Sequence, residues 1–280
     1  MIPDRLLVND YISIKNCRHG LFMYNLNDLF IGRSMDIYGE WCDTELTSLE
    51  EFIKSGDVVV DVGANIGTHT VFFSKKVGIN GVVYAFEPQH IVFEFLCANM
   101  ALNGLMNVVH LQVGLGDKSS ETIVPVLDPS ISQNFGNLNI EGNSVGERVG
   151  IIPLDALELK RCNLIKIDVE GMELKVLQGA EKTIRNLHPI LFVENNGKEG
   201  NPELVQKLFD LGYDCWWHIA AYYNPENFFH NTENIWEHFV PESNMLCIPK
   251  ELNRNIIYIE PITCPTDSWV QVFKRLGGGG

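Results

Sequence analysis

Short, nearly continuous apolar runs recur along the chain, and segments with helical spacing separate them. Buried parallel strands have this apolar character, because both faces of a parallel sheet are covered. Strands that alternate with helices predict a doubly wound sheet of the α/β class. The five runs predicted to form its parallel strands are Val58–Val62, Gly81–Glu87, Val108–Val113, Asn163–Asp168 and Pro189–Asn196.

The segments between these runs repeat their apolar residues with the period of a helix. Residues 90–103 show this clearly, and Asn103–Gly104 has the composition of a helix end. The pattern as a whole therefore predicts at least five helices and a completed sheet. The predicted helices cover residues 45–54, a segment ending near Lys76, and residues 90–103, 171–187 and 202–211; the two remaining strands are Tyr213–His218 and Met245–Ile248.

One large domain with a small extension is the predicted organisation. Residues 1–37 hold short alternating runs, Tyr11–Ile14 and Gly20–Tyr24, which predict a cap of small antiparallel strands. Residues 38–276 form the predicted α/β domain. The closing glycines, 277–280, have the composition of a linker and are excluded from the predicted fold.

Residues 118–150 carry few helix signals and many Gly, Asn, Ser and Pro residues. A long irregular stretch inside a compact domain is often a binding loop. Two predictions stay open for this segment: a loop over a ligand pocket, or a β-excursion without a chemical role.

The first parallel strand leads into the glycine-rich turn Gly63–Gly67, and Asp61 stands just before it. Glycines let a ligand approach the backbone, and the first turn of the next helix offers free N–H groups. Glu87 ends the second strand about 20 residues further on, where carboxylates accept hydrogen bonds from ribose. Asp61 disfavours the pyrophosphate of NAD. A cationic nucleoside such as S-adenosylmethionine fits better, and a purely structural turn is the alternative.

Polar side chains also end the fourth and fifth strands, at Asp168 and at Glu194–Asn196. The carboxyl ends of parallel strands share one edge, so these groups are predicted to form a site. Asp168 is the first candidate for a general base, because a desolvated carboxylate among other acids has a raised proton affinity. Glu170 is the second candidate, and a helix acid favoured by the dipole is its structural alternative.

Two motifs resemble the FkbM family of class I S-adenosylmethionine-dependent methyltransferases. They are Asp61-Val62-Gly63-Ala64-Asn65-Ile66-Gly67 and Leu164–Glu173, with Val176–Ala180 after the second motif. The likeness extends from about Tyr38 to Pro249. It implies the class I strand order with the last strand antiparallel, and methyl transfer to the hydroxyl of a sugar or a secondary metabolite.

Specific residues carry these expectations. The predicted cofactor contacts are Glu45, Asp61, Gly63, Ala64, Asn65, Gly67, Thr68, Glu87, Pro88, Asp117 and Asp168, and the predicted catalytic residues are Asp168, Glu170, Glu194 and Asn195. Glu45 is equally well explained as a first-turn helix acid, and Asp117 as an ordinary turn residue. Asp168, Glu194 and Asn195 also resemble the oxygen ligands of metal-dependent catechol-type O-methyltransferases, so Mg²⁺ is a possible second cofactor.

Composition narrows the classes of partner. The formal net charge of −15 opposes binding to the phosphate backbone of nucleic acids and leaves a small-molecule or glycan acceptor. Seven scattered cysteines and the lack of a signal peptide or a membrane-length apolar run suggest a cytoplasmic protein. A nucleotide-dependent oxidoreductase and a non-catalytic binding module are the rival functions; the sequence of the glycine turn argues against the first and the strand-end acids against the second.

Overall fold

The computed structural model describes residues 5–138, 140, 142–197 and 200–275. These residues form strands and helices that alternate through the centre of the chain. The strands are β1 (Arg5–Leu7), β2 (Ile12–Cys17), β3 (Gly20–Asn25), β4 (Val58–Val62), β5 (Val82–Phe86), β6 (Val108–Leu111), β7 (Gly114–Leu115), β8 (Ser120–Val124), β9 (Glu147–Ile152), β10 (Leu164–Ile167), β11 (Ile190–Glu194), β12 (Tyr213–Ala220), β13 (Glu242–Pro249) and β14 (Glu260–Ile262). The helices are α1 (Ile31–Ile37), α2 (Asp43–Glu50), α3 (Thr68–Val77), α4 (His90–Leu102), α5 (Glu173–Gly179), α6 (Glu181–Leu187), α7 (Pro202–Asp210) and α8 (Trp269–Arg275).

Eight strands form the central sheet in the order β14-β12-β13-β11-β10-β4-β5-β6. Strands β11, β10, β4, β5 and β6 are parallel to one another. Strand β13 lies between β11 and β12 and is antiparallel to both. This confirms the predicted doubly wound sheet of the class I methyltransferase type. The edge strand β14 and the helix α8 extend it beyond the prediction.

Alternate residues of the central strands enter cores on opposite faces of the sheet. Val59 and Leu164 pack with α2 and α3, whereas Val60 and Ile165 pack with α5, α6 and α7. All five residues of β4 are buried, which explains why four of them are valines. Each large apolar side chain buried in this way contributes about 1.5–3 kcal/mol.

The N-terminal strands β1, β2 and β3 form a separate antiparallel sheet, as the alternating pattern predicts. This sheet is fixed to α4 by two asparagines. Asn99 hydrogen-bonds both backbone groups of Met23, and Asn103 does the same for Leu21. The sequence did not predict α1, which follows this sheet.

Residues 118–150 combine features of both predictions. Strands β8 and β9 pair antiparallel, and with β7 they form a third small sheet. Between them the chain crosses to the edge where the parallel strands end, and residues 134–138 and 140 line a cavity there.

The predicted single helix over residues 171–187 is wrong, because Ala180 leaves the helical conformation and separates α5 from α6. The Asp155 carboxylate accepts hydrogen bonds from the backbone N–H groups of Lys182 and Thr183 and so stabilises the start of α6. The helix predicted over 45–54 also ends earlier, at Glu50. The glycine tail 277–280 lies outside the described residues.

Candidate functional site

A cavity of about 490 Å³ opens at the carboxyl ends of the parallel strands. The ends of β4, β5, β10 and β11 contribute to it, and β13 begins at the same edge because it runs in the opposite direction. Open α/β sheets bind their ligands at this edge. The predicted site residues that line the cavity are Glu45, Gly63, Ala64, Asn65, Thr68, Glu87, Pro88, Asp168, Glu170 and Glu194.

The glycine turn approaches the end of β10 so closely that position 63 has no room for a side chain. A Cβ at Gly63 would lie 1.7 Å from the backbone oxygen of Asp168, and the residue has a φ of 75°. Gly67 serves packing instead. It does not line the cavity among the described residues, and a Cβ there would lie 2.7 Å from the side chain of Leu96 on α4.

Glu87 is held in place by the main chain on both sides. Its two carboxylate oxygens accept hydrogen bonds from the backbone N–H groups of Asn65, at 3.0 Å, and Gln89, at 2.9 Å. Burial raises the pKa of Glu87 to about 7. A carboxylate oriented in this way can accept further hydrogen bonds from ribose hydroxyls.

Gln89 supplies an independent sign that a polar ligand belongs at this end of the cavity. Its amide nitrogen donates to the backbone oxygen of Phe135 at 3.1 Å, while its buried Oε1 has no hydrogen-bond partner in the described part of the chain. Unpaired buried acceptors are rare and costly. The residue lines the cavity beside Glu87, so an unpaired acceptor and an oriented carboxyl group stand at the same end of the cavity.

Asp61 lies behind the cavity, and among the described residues it does not line it. The side chain is fully buried, and its Oδ2 accepts a hydrogen bond from Thr70 at 2.6 Å. Its Oδ1 lies 3.7 Å from Nζ of Lys166, which stands opposite it in the pairing of β4 with β10. Asp61 thus positions Lys166 and α3.

The prediction that Asp168 has a raised proton affinity is wrong. Burial acts in that direction, but the charge and the hydrogen bond of Lys166 outweigh it and lower the pKa of Asp168. The two groups are 3.0 Å apart. Burial in turn acts to lower the pKa of Lys166, and the charges of Asp168 and Asp61 outweigh it and raise that pKa. Asp168 is therefore a fixed anion.

Glu170 has the opposite electrostatic character. Burial raises its pKa to about 8, and the nearby charges of Asp168 and Glu242 add to the effect. Its backbone lies in the left-handed region, with φ 52°, which is rare for a glutamate and costly enough to suggest a functional constraint. The side chain lines the cavity.

Glu194 completes a group of three carboxylates with Asp168 and Glu170, whose nearest oxygens all lie within 4.8 Å of one another. Burial, and then the charge of Asp168, raise the pKa of Glu194 well above its usual value. Asn195 does not join them in the described structure. It is buried on the other side of β11, where its amide contacts Sδ of Met245 at 3.5 Å.

Asn196 occupies the place that the sequence analysis gave to Asn195. Its amide donates to Glu194 and, at 2.6 Å, to Oε2 of Glu242. Burial raises the pKa of Glu242 to about 7, and the charge of Glu45 contributes. Burial, and then the charge of Glu242, raise the pKa of the Tyr222 phenol.

Glu45 lines the cavity from α2 and is buried with two fixed partners. Its carboxylate contacts Nε2 of His69 at 3.1 Å and accepts a hydrogen bond from Asn244 at 2.9 Å. Burial raises the pKa of Glu45 to about 7 and lowers that of His69 to about 4. His69 is therefore neutral at pH 7 and orients Glu45.

Five aromatic side chains pack together at the cavity, and we call them the aromatic wall: Phe30, Trp41, Tyr222, Trp236 and Phe239. Phe30 stacks on Trp236 with ring centroids 5.4 Å apart, and Phe239 meets both edge-on. Tyr222 contacts Trp41 at 5.2 Å. All except Trp236 line the cavity.

The structure differs from the sequence-based prediction in two further respects: another predicted residue lies outside the cavity, and three residues in or near the carboxyl groups were not predicted. Asp117 lies on an exposed turn, 3.9 Å from Nζ of Lys118, and does not line the described cavity. Lys166, Asn244 and Glu242 had no predicted role. A charged residue inside the apolar run Leu164–Ile167 was a signal for the first, and the antiparallel last strand, which must begin at the binding edge, was a signal for the other two.

Comparison of the sequence with known proteins identifies one family of methyltransferases. The model of the methyltransferase FkbM domain matches residues 61–215. Hexuronic acid methyltransferase AglP of Haloferax volcanii is 31% identical over 179 residues, which cover 64% of this chain and 71% of AglP. Methyltransferase sdnD of Sordaria araneosa is 29% identical over 198 residues, which cover 58% of this chain and 75% of that protein.

Two solved structures are also similar to this chain. A methyltransferase FkbM from Methylobacillus flagellatus KT has a TM-score of 0.46 and 17% identity; the match covers 69% of this chain but less than half, 44%, of that chain. M. jannaschii TYW2 in complex with AdoMet has a TM-score of 0.45 and 16% identity, with 92% and 90% covered. No helix among the described residues is long and apolar enough to cross a membrane.

Proposed function

The chain belongs to the FkbM methyltransferase family and is an S-adenosylmethionine-dependent methyltransferase, and from this premise we propose that it methylates a hydroxyl oxygen of a sugar or another small molecule. One observation carries the proposal: the nucleoside end of the cavity, with Glu87 and Gln89, is continuous with a group of carboxylates that can accept a hydroxyl proton. The hexuronic acid substrate of AglP supports a sugar as the acceptor class.

S-adenosylmethionine supplies a methyl group already activated on a sulfonium. We assign its ribose to Glu87 and its adenine to the part of the cavity that Pro88 and Gln89 line. The turn Gly63–Asn65 and Thr68 line the same end. Asp168 and Glu45 offer negative charge to the cationic part of the cofactor. Asp117 contributes to none of these contacts in our assignment.

Glu170 is the proposed general base. Methyl transfer to a hydroxyl forms an O–C bond, leaves the electrons of the S–C bond on sulfur and releases the hydroxyl proton. A carboxylate with a pKa near the working pH is well suited to take that proton. Glu170 meets this requirement with a pKa of about 8, whereas Lys166 keeps Asp168 ionised and weakly basic. Glu194 and Asn196 position the acceptor beside it.

A divalent metal is the alternative means of activating the hydroxyl. Asp168, Glu170 and Glu194 offer oxygen ligands of the kind that Mg²⁺ accepts, in place of the predicted set with Asn195. The ion pair of Asp168 with Lys166 already satisfies part of this charge, which favours direct base catalysis. Exhaustive chelation should leave turnover unchanged; loss of turnover that added magnesium restores would establish the metal instead.

Glu170→Gln tests the base. Turnover should fall by about 10²–10⁴-fold, because the amide cannot take the proton, while calorimetry should show unchanged affinity for S-adenosylmethionine. In the parent enzyme kcat/KM should rise as the pH rises through about 8, since Glu170 must be ionised.

Glu203→Gln, on the exposed start of α7, is the control for a glutamate change outside the cavity. Near-native turnover of a folded Glu170→Gln protein would exclude Glu170 as the base. Calorimetry in which NAD binds tightly and S-adenosylmethionine does not would contradict the cofactor assignment itself.

A further inference from the structure

The cavity is lined by aromatic rings as well as by carboxyl groups. Phe30, Trp41, Tyr222 and Phe239 present rings of the aromatic wall to the cavity. Such faces bind the C–H face of a saturated ring or an organic cation. The aromatic rings favour an acceptor that contains a ring, and the carboxyl groups favour an acceptor that carries a positive charge.

The carboxylate side chains that line the cavity outnumber its cations. The carboxyl groups of Glu170, Glu194, Glu242 and Asp168 line the cavity, and the nearest oxygens of Asp168, Glu170 and Glu194 lie within 4.8 Å of one another. Lys166 is the one lysine or arginine among the described lining residues, and it is already bound between Asp61 and Asp168. An anionic acceptor would therefore find no unpaired lysine or arginine among those residues, whereas an ammonium group would favour ionisation of the carboxyl groups beside it.

Glu242 joins the two features. Its carboxyl group raises the pKa of the phenol of Tyr222, a member of the aromatic wall, although burial of that phenol is the larger cause, and the amide of Asn196 orients the carboxyl group at 2.6 Å. An ammonium group placed beside Glu242 would contact a ring face and a carboxylate together. Cation–π attraction and ionic attraction act in the same direction there.

We propose that the acceptor is a hydroxylated saturated ring that carries an ammonium group, of the amino-sugar or aminocyclitol class, with Glu242 as the residue that recognises its charge. This inference rests on the proposed function, since it names the acceptor of the same cavity. It predicts the order ammonium, then neutral, then carboxylate for otherwise similar rings.

Three probes of one shape test the order on the protein saturated with S-adenosylhomocysteine: cyclohexylammonium, cyclohexanol and cyclohexanecarboxylate. Calorimetry should show that the ammonium binds about tenfold more tightly than the alcohol, and that the carboxylate binds most weakly. Glu242→Gln should abolish the preference for the ammonium, whereas Glu237→Gln, an exposed neighbour of the wall that does not line the cavity, should preserve it.

Methyl transfer gives the second readout. Initial rates with methyl glycosides of glucosamine, glucose and glucuronic acid should follow the same order. Equal binding of the three cyclohexyl probes, tighter binding of the carboxylate, or an ammonium preference that survives Glu242→Gln would overturn the inference. Failure of S-adenosylhomocysteine to bind would instead contradict the proposed function, so the two failures are distinguishable.

Discussion

The two ends of the cavity are built in different ways. At the cofactor end, the polar groups come from two consecutive strand–helix units, and backbone N–H groups fix Glu87. At the acceptor end, the aromatic wall and the carboxylates come from segments as distant as Phe30 and Glu242, and side chains hold one another. A site fixed by the backbone keeps one ligand, while a site fixed by side-chain packing can change its specificity without changing the fold.

Lys166 connects the two ends, and its replacement should have the largest effect. Lys166→Met leaves the buried charge of Asp61, and the charge of Asp168 at the cavity, without their cation, so the free energy of unfolding should fall by about 3–5 kcal/mol. That is a large part of the roughly 5–15 kcal/mol typical of a domain. Denaturant titration measures it.

Lys160→Met, at an exposed position, is the matched control and should change stability little. Adding Asp61→Asn to Lys166→Met should recover part of the loss, because it removes one of the unpaired charges. If Lys166→Met were as stable as the parent, the ion pairs of Lys166 with Asp61 and Asp168 would not connect the two ends of the cavity.

Glu87→Ala should affect the cofactor end alone. The change removes the acceptor assigned to ribose and leaves two backbone N–H groups unpaired, so affinity for S-adenosylmethionine should weaken by about 1.5–3 kcal/mol. Binding of cyclohexylammonium at the acceptor end should not change. Calorimetry on both ligands measures the separation.

Glu94→Ala is the control: it removes a carboxylate from the exposed face of α4, the helix that follows Glu87, and should leave both affinities unchanged. An equal loss of affinity for both ligands in Glu87→Ala would show that the two ends are not independent.

The smallest expected effect is a pH dependence of cofactor binding. Burial raises the pKa of Glu87 to about 7, and ribose hydroxyls donate to its ionised form. Binding therefore releases a proton, and affinity for S-adenosylhomocysteine should rise by about five- to tenfold between pH 6 and pH 8. Glu45 and Glu242 titrate in the same range, so the difference between the parent and Glu87→Gln isolates the contribution of Glu87. Identical pH profiles would exclude it.

Sequence reasoning succeeded where structure is local. The parallel strands, the turn at Gly63 and the strand-end position of Glu87 follow from short patterns that the backbone itself determines. It failed where the result depends on the direction that a side chain takes. Lys166 stands only two residues before Asp168, yet the strand pattern does not reveal the hydrogen bond between them that lowers the pKa of Asp168. Because β11 ends at Glu194, its alternation does not decide which of Asn195 and Asn196 faces the cavity.

The position of β13 has a consequence for the order in which the molecule assembles. The sheet neighbours of β12 in the described structure are β13 and β14, and both follow it in the chain. As the polypeptide emerges during synthesis, strands β4, β5, β6, β10 and β11 can pair once residue 194 has emerged, but β12 must wait for β13 to enter between it and β11. Non-local pairings of this kind form late. Because Glu242 and Asn244 arrive with that strand, the nascent enzyme acquires its cofactor end first and its choice of acceptor last.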